Sequence, residues 1–378
     1  MPDTILVAMS GGVDSSVAAA LLLEQGYDVI GITLQLWGKD VCTSAGSRRC
    51  CSVRDTLDAK AVAKRLGIRH EVLDLADEFR THVIDYFVGS YEKGLTPNPC
   101  IACNTHIKFG SFYDRADELG AAWIATGHYA QLRKDVQTGR TQLFRAADAH
   151  KDQSYVLFDL SQAQLSRSLF PLGGFVKEDA RRVARAYGFV NADKPDSQDI
   201  CFIQNHDTAG FLKSRLGTLG EPGPIVDTSG KELGTHRGLL SYTVGQREGL
   251  GLAVGKPIYV VAIDQAQNRL VVGERSDILG RHLGVERVNW VSIAQPTAPI
   301  RARVKIRSRH EPAAADIRPS ADGREATIIF DEPQPAITPG QAAVFYDGDR
   351  VLGGGWIKPD APLLPAPEAA NGHGHATG

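Results

Sequence analysis

Apolar positions recur on two different rhythms along this chain, and the change of rhythm divides it. Thr4 to Met9 (TILVAM) is a short apolar run that reads as a buried strand. A glycine turn follows, then Val17-Ala-Ala-Ala-Leu-Leu-Leu, an Ala- and Leu-rich run that favours helix. The pattern predicts a second strand over Asp28 to Leu34, a helix over Arg54 to Leu66 and an alternating strand over His70 to Leu75. Another helical stretch leads into Trp123-Ile-Ala-Thr-Gly-His. Strands that alternate with helices predict an α/β fold with a parallel, doubly wound sheet. Ligands of such sheets bind beyond the carboxyl ends of the strands, which is where the glycine turn lies.

After about Asn205 the texture becomes Gly- and Pro-rich, with Gly-Glu-Pro-Gly-Pro at 220–224 and then Pro257-Ile-Tyr-Val-Val-Ala-Ile. From Gly284 on, strand-like pieces recur between turn signals: Val285-Glu-Arg-Val-Asn-Trp, Arg301-Ala-Arg-Val-Lys-Ile, Ala326-Thr-Ile-Ile-Phe and Ala342-Ala-Val-Phe-Tyr. They predict a small antiparallel β-barrel. The expected division is an α/β domain over 1–205, a small linking domain over 206–281, a C-terminal β-barrel over 282–360 and a disordered tail over 361–378. The two His of that Pro-, Ala- and Gly-rich tail read as solvated rather than as a metal tract.

A chain of 378 residues exceeds one ordinary core. Its 43% hydrophobic and 23% charged content is that of a soluble globular protein. No apolar run is long enough for a bilayer, and Met1-Pro2-Asp3 leads into no signal-type stretch, so a cytoplasmic location without membrane partners is expected. There the six cysteines should be mostly reduced, each a candidate thiol, metal ligand or redox group. The net charge of -2 gives no global sign of a polyanionic partner and leaves local basic patches to bind one.

Ser10-Gly-Gly-Val-Asp-Ser-Ser lies between a predicted strand and a predicted helix. Glycines let backbone approach an anion closely, and a helix N-terminus offers unpaired N–H groups and a favourable dipole. Ser10, Ser15 and Ser16 add hydroxyls, and Asp14 is a candidate to hold Mg²⁺ against phosphates. The Gly-Lys-Ser/Thr ending of a Walker A loop is absent. A glycine turn with an Asp/Ser helix cap is the plain alternative, but the whole string in strand–turn–helix context favours phosphate binding. It resembles the loop of the ATP pyrophosphatases, which cleave ATP to AMP and pyrophosphate and adenylate a substrate oxygen.

Cys100-Ile-Ala-Cys103 follows the proline-punctuated Leu95-Thr-Pro-Asn-Pro, and Cys201 lies in Asp196-Ser-Gln-Asp-Ile-Cys-Phe. Cys-x-x-Cys alone reads as a redox pair, half a metal site or chance. Cys42, Cys50 and Cys51, near Arg48 and Arg49, read equally well as loop cysteines without a task. Lys108, Lys151 and Lys194 flank the cysteine motifs and are candidates for the positive charge that makes a thiol reactive.

Taken together these strings resemble the bacterial tRNA-specific 2-thiouridylases up to about Lys358. The matching segments are Ala8-Met-Ser-Gly-Gly-Val-Asp-Ser-Ser, Thr96-Pro-Asn-Pro, Cys103-Asn with Ile107-Lys-Phe, and Ala125-Thr-Gly-His-Tyr-Ala. Further on come Lys151-Asp-Gln-Ser-Tyr, Lys194-Pro-Asp-Ser-Gln-Asp-Ile-Cys-Phe-Ile, Thr243-Val-Gly-Gln-Arg-Glu-Gly-Leu-Gly and Leu352-Gly-Gly-Gly-Trp-Ile. The loop is shared with several ligases, whereas the ordered set is specific. The resemblance implies an ATP pyrophosphatase domain, a central tRNA-binding domain and a C-terminal barrel. It also implies ATP- and Mg²⁺-dependent 2-thiolation of the wobble uridine in tRNAs for Lys, Glu and Gln. The sulfur would come from a persulfide-carrying donor protein such as a cysteine desulfurase or a relay.

By the same resemblance Cys201 receives the persulfide and Cys103 is the second catalytic thiol, the two being able to form a disulfide. Ala8, Met9, Ser10, Gly11, Gly12, Val13, Asp14, Ser15, Leu34 and Gly127 align with the ATP pocket, Leu34 replacing the family's usual Met. Asn98, Pro99 and Cys100 align with the segment facing the target base. His128, Lys151, Asp152, Gln153, Arg307, Ser308 and Gln341 align with tRNA contacts. Two departures stand out. Cys100 replaces an Asp considered a general acid/base, and a thiol titrates far above a carboxyl. Ser308 replaces a Tyr, which removes a stacking contact to RNA. Cys100, Cys103 and Cys201 also resemble the trio of iron–sulfur-dependent tRNA thiolases, implying an alternative route through a [4Fe–4S] cluster.

Other charged and aromatic residues carry less. Arg301-Ala-Arg-Val-Lys-Ile-Arg-Ser-Arg-His alternates cations, predicting one strongly basic strand face that the resemblance makes a candidate for RNA phosphates. Arg181, Arg182 and Arg185 read as a solvated helix face. His70, His82, Trp123, Tyr242 and Trp290 read as packing or surface residues. The competing functions are a small-molecule ligase or amidotransferase on the same loop, and a non-enzymatic RNA-binding protein with a structural metal site.

Overall fold

The computed structural model describes residues 2–37, 53–196, 200–203 and 205–359. Cys42, Cys50, Cys51 and the tail over 361–378 lie outside the described residues.

The first domain is the expected parallel sheet. Its five strands run in the order Arg69–Asp74, Asp28–Gln35, Thr4–Ala8, Trp123–Ala125 and Ser168–Leu169. Ile5, Leu6 and Val7 are completely buried because helices cover both faces, which is why the strand reads as unbroken apolar sequence. The strand order reverses between Thr4–Ala8 and Trp123–Ala125. The carboxyl ends of these two strands therefore flank a switch point, where α/β sheets open a crevice.

Residues 76–92 and 99–118 are helical and pack beside this sheet. The second run begins at Asn98, whose Oδ1 accepts a 3.1 Å hydrogen bond from the Cys100 amide, with Pro99 in the first helical position. Its middle, Cys103–Ser111, is wound as a π-helix and kinks at Phe109 (φ −123°, ψ 18°).

Beyond residue 205, the helix Thr208–Leu216 precedes a four-stranded sheet in the order Tyr259–Asp264, Arg269–Gly273, Gly223–Val226, Glu232–His236. The C-terminal barrel follows in the order Leu279–Asn289, Glu325–Pro335, Ala313–Pro319, Ile300–Lys305, Ala342–Asp347, Arg350–Ile357, and its first and last strands pair to close it. A hairpin of the first domain, Gln131–Lys134 with Thr141–Phe144, pairs onto the outside of Arg350–Ile357. Leu143, Phe158, Val344 and Trp356 lie in one apolar cluster with Cys103 and Phe109, so barrel and sheet domain share a core. No described helix is long and apolar enough to cross a membrane.

Candidate active site

The glycine loop sits at the switch point. Gly11 has φ +73°, and a Cβ there would fall 2.2 Å from the Asp55 carbonyl oxygen, so the position requires glycine. Gly127 lies directly after the neighbouring strand, where a Cβ would meet the Ser15 amide nitrogen at 2.7 Å. The helix Val13–Glu24 starts at Gly12 with no side chain capping it, which leaves its first N–H groups directed at the crevice. Ser15 and Ser16 donate instead to the Gly12 carbonyl, at 3.2 and 2.9 Å, and Ser10 lies against Ser15. Met9 and Leu34, expected at the ATP pocket, are buried among the apolar residues behind it.

A network of charges surrounds the loop. Lys177 Nζ donates to both Asp14 oxygens (2.7 and 2.8 Å) and lies 2.8 Å from Asp196. Tyr129 OH donates to Asp14 at 2.8 Å. Asp196 is further bound by Lys151 (2.6 Å) and Arg181 (3.1 Å); burial opposes its ionisation, but these cations prevail and hold its carboxyl below the usual range. On the other side of the loop Lys194 Nζ donates to Asp55, Asp58 and the Gly11 carbonyl at 2.5, 2.7 and 3.0 Å. Burial pulls that ammonium down, the two carboxylates outweigh it, and it sits above its ordinary value. Asn191 Nδ2 ties the Gly11 carbonyl and Ser16 Oγ, each at 3.0 Å.

Three sequence expectations change here. Arg181 is not on a solvated face: it reaches the Ala192 and Lys194 carbonyls at 3.0 Å as well as Asp196, whereas Arg182 and Arg185 do form exposed ion pairs. Lys151 and Lys194 are both paired with carboxylates. Asp14, the candidate Mg²⁺ ligand, is engaged by an ammonium on both oxygens, so its surroundings do not form a cation site.

The cysteine helix is built differently. Cys103 is buried among apolar side chains, and burial pushes its thiol up to about 11, with Lys108 pulling the other way. Cys100 shows at the surface, yet the fold around its sulfur raises that thiol too, again against the pull of Lys108. In a π-helix the i+5 residue returns to the face of residue i, and Lys108 stands five residues after Cys103. Among the described residues Lys108 makes no ion pair, and its charge reaches Cys100 and Cys103. Cys201 is half-buried against the same apolar cluster, next to Phe202, which packs on Phe79, Phe87 and Phe211. Among the described residues no group of three His, Cys, Asp or Glu side chains converges as a metal site, so the cysteine trio does not fit a cluster as it stands.

Residues 126–129 join the two halves. Gly127 backs the loop, and Tyr129 binds Asp14. His128 is buried against Phe109 and Phe170, with Nδ1 2.7 Å from Thr126 Oγ1; burial, helped by Lys108, keeps it neutral.

Most of the residues expected to meet RNA are hydrogen-bonded within the fold. Asn98 caps the cysteine helix, and Pro99 is buried. Asp152 has a side chain only 2% exposed and accepts from Arg145, the Ala146 and Ser154 amides and Ser154 Oγ, so it organises its own loop. Gln153 Oε1 accepts from the Tyr129 amide, and Gln341 reaches the carbonyls of Thr96 and Pro97. Arg307 donates to the Pro335 and Ala336 carbonyls, and Ser308 is exposed. The expected basic strand face is partly occupied. Arg301 pairs with Asp316 and Asp331 on other strands, Arg303 donates to the Pro312 carbonyl, and Lys305 is buried with its ammonium pulled down by burial. Sequence reading missed Lys177, Asn191 and Tyr129, which are far from the loop in the chain; Tyr129 alone carried a signal, being inside a matching string.

Comparisons with known proteins agree with this architecture. Family models described as "tRNA methyl transferase HUP domain", "tRNA methyl transferase PRC-barrel domain" and "Aminomethyltransferase beta-barrel domain" match residues 3–205, 209–274 and 280–357. The chain is 53% identical to a protein of Heliobacterium modesticaldum named tRNA-specific 2-thiouridylase MnmA, over 94% of this chain and 93% of that one. Proteins of the same name from Solibacter usitatus and Nostoc sp. are 48% and 51% identical, covering 95% and 94% of this chain and 100% and 98% of theirs.

Proposed function

The chain belongs to the tRNA-specific 2-thiouridylase family, and on that premise we propose that this sulfur transferase thiolates C2 of the wobble uridine, position 34, in tRNAs for Lys, Glu and Gln. The uracil O2 attacks the α-phosphorus of ATP held at the Ser10–Ser16 loop, pyrophosphate leaves, and C2 carries AMP as a leaving group. The terminal sulfur of a Cys201 persulfide, loaded by a donor protein, attacks C2 and AMP departs. The Cys103 thiolate then attacks the inner sulfur of Cys201, leaving 2-thiouridine and a Cys103–Cys201 disulfide that an external thiol must reduce before the next turnover. Uncapped N–H groups at the start of the helix Val13–Glu24 supply the field that a pyrophosphate leaving group needs.

The observation that carries this reading is the 126–129 segment, which backs the phosphate loop with Gly127 and Tyr129 and sets His128 within reach of the charge that acts on both thiols of the cysteine helix. An adenylating centre and a thiol centre thus share one wall. The ligase and RNA-binding alternatives give this wall no use.

The test is thiolation of tRNA by wild type and by Cys100→Ser, Cys103→Ser and Cys201→Ser, read on mercury-retarding gels together with AMP release. Thiolation vanishes in the Cys103 and Cys201 variants and persists in Cys100→Ser. Full activity of Cys201→Ser sinks the persulfide route, and loss in all three, with iron bound after anaerobic purification, favours the cluster.

A further inference from the structure

The loop in front of the cysteine helix is gripped by the barrel. Gln341 Nε2 donates to the Thr96 carbonyl at 2.8 Å and lies 3.3 Å from that of Pro97. In the opposite sense the Thr96 amide donates to the Pro339 carbonyl at 2.8 Å. Gly340 between them has φ +86°, and a Cβ there would lie 2.8 Å from Leu95 Cβ and 2.9 Å from the Thr96 nitrogen, so only glycine lets the turn sit this close. The turn is itself fixed to the last barrel strand, Gly340 N to Ile357 O at 2.9 Å and Ile357 N to Gln341 O at 2.8 Å.

The gripped loop is otherwise held by the Leu95 amide on the Ser90 carbonyl at 3.0 Å and by the burial of Pro97 and Pro99. Pro97 and Pro99 carry no N–H, so its backbone donors are few and its carbonyls need outside partners. Gln341 supplies two. Immediately beyond, Asn98 caps the helix at the Cys100 amide. The path from the barrel strand to the first turn of the cysteine helix is therefore a run of hydrogen bonds and three residues of proline-stiffened chain.

We propose that Gln341 is a positioning residue: through the carbonyls of Thr96 and Pro97 it fixes the Asn98–Cys100 segment, so that the barrel sets where the cysteine helix begins relative to the bound uridine. The uridine in that statement rests on the thiouridylase reading, but the contact itself does not. Its side-chain donors point into the protein rather than outward, so its main effect falls on the rate of sulfur transfer and little on tRNA affinity.

The experiment uses the full chain with Gln341→Leu, which removes both donors at similar bulk, and independently Gly340→Ala, which pushes the turn off the loop. Amide hydrogen exchange over 95–103 is measured without RNA, and single-turnover thiolation and tRNA dissociation constants are measured at fixed salt. Both variants should raise exchange at 100–103 at least about tenfold, slow the single-turnover rate about tenfold, and leave tRNA affinity within about twofold. Three results overturn the proposal: weakened tRNA binding with unchanged rate and exchange, no change in any measurement, or faster exchange spread through the whole barrel. Should wild type fail to thiolate tRNA, the function reading falls, while the exchange measurement still decides the positioning role.

Discussion

The phosphate loop and the cysteine helix both touch residues 126–129 and are stabilised in opposite ways. Around the loop nearly every charge is matched: Asp14 with Lys177, Asp196 with Lys151 and Arg181, and Lys194 with Asp55 and Asp58. Around Cys103 the environment is apolar, and the cation whose pull reaches it, Lys108, has no carboxylate of its own among the described residues. A matched network is preorganised and resists change. A buried thiol beside an unmatched cation stays neutral at rest, and its reactivity then depends on what joins it. The difference teaches that the loop half has its charges already matched in the folded chain, while the thiol half leaves a cation open beside an apolar pocket.

The strongest way to break the contrast is Gly11→Ala. A left-handed φ and a 2.2 Å approach to Asp55 cannot both be accommodated, so we expect a loss of about 3 kcal/mol in urea unfolding and ATP binding lowered more than tenfold by calorimetry. The Cys103 peptide should be modified by iodoacetamide at an unaltered rate, because Met9 and Val13 beside the loop pack in a different apolar cluster from Cys103. Parallel collapse of both readouts would show that they are one unit.

A second, smaller effect follows from the raised Cys103 thiol. Its proton leaves the unfolded chain near the ordinary value of 9 and the folded chain only at about 11. Between those values the folded state binds more protons, so this contribution to stability falls as pH rises. Wild type should therefore lose about 1 kcal/mol relative to Cys103→Ala between pH 9 and 10, read from paired urea midpoints. An unchanged difference would mean that the thiol is solvated.

The smallest effect sharpens the electrostatics. Lys108→Met keeps the aliphatic stem and removes the charge, so iodoacetamide should react with Cys103 about threefold more slowly at pH 8.5, and Lys108→Arg should restore the rate. Equal rates in all three proteins would assign Lys108 to packing alone.

How far the sequence reveals these features depends on whether their cause is local. The parallel sheet could be read because strands buried on both faces leave unbroken apolar runs such as Ile5-Leu-Val. The glycine loop could be read for the same reason, since Gly11 and Gly12 report a backbone requirement on the spot. The hairpin Gln131–Phe144 escaped notice because its strands are short and partly polar, and its pairing with Arg350–Ile357 is decided in space. The basic strand was read incompletely because alternation shows where Arg301 points but not that Asp316 and Asp331 stand across from it. Lys177 and Asn191 lie 163 and 175 residues from the groups they bind at Asp14 and Ser16. Distance along the chain, rather than weak chemistry, kept them out of view.

The widened winding of Cys103–Ser111 also bears on what lengths this segment tolerates. In this wider winding one residue accounts for roughly a quarter turn, so deleting one residue anywhere between Cys103 and the kink at Phe109 would swing the upstream cysteines by about that much relative to the core-facing Phe112. No change of side chain could undo such a rotation. Exchanges of residue type along this stretch should therefore be graded in effect, whereas insertions and deletions should be all-or-none, and any chimera of this enzyme must keep its joints outside the span from the loop prolines to Phe112.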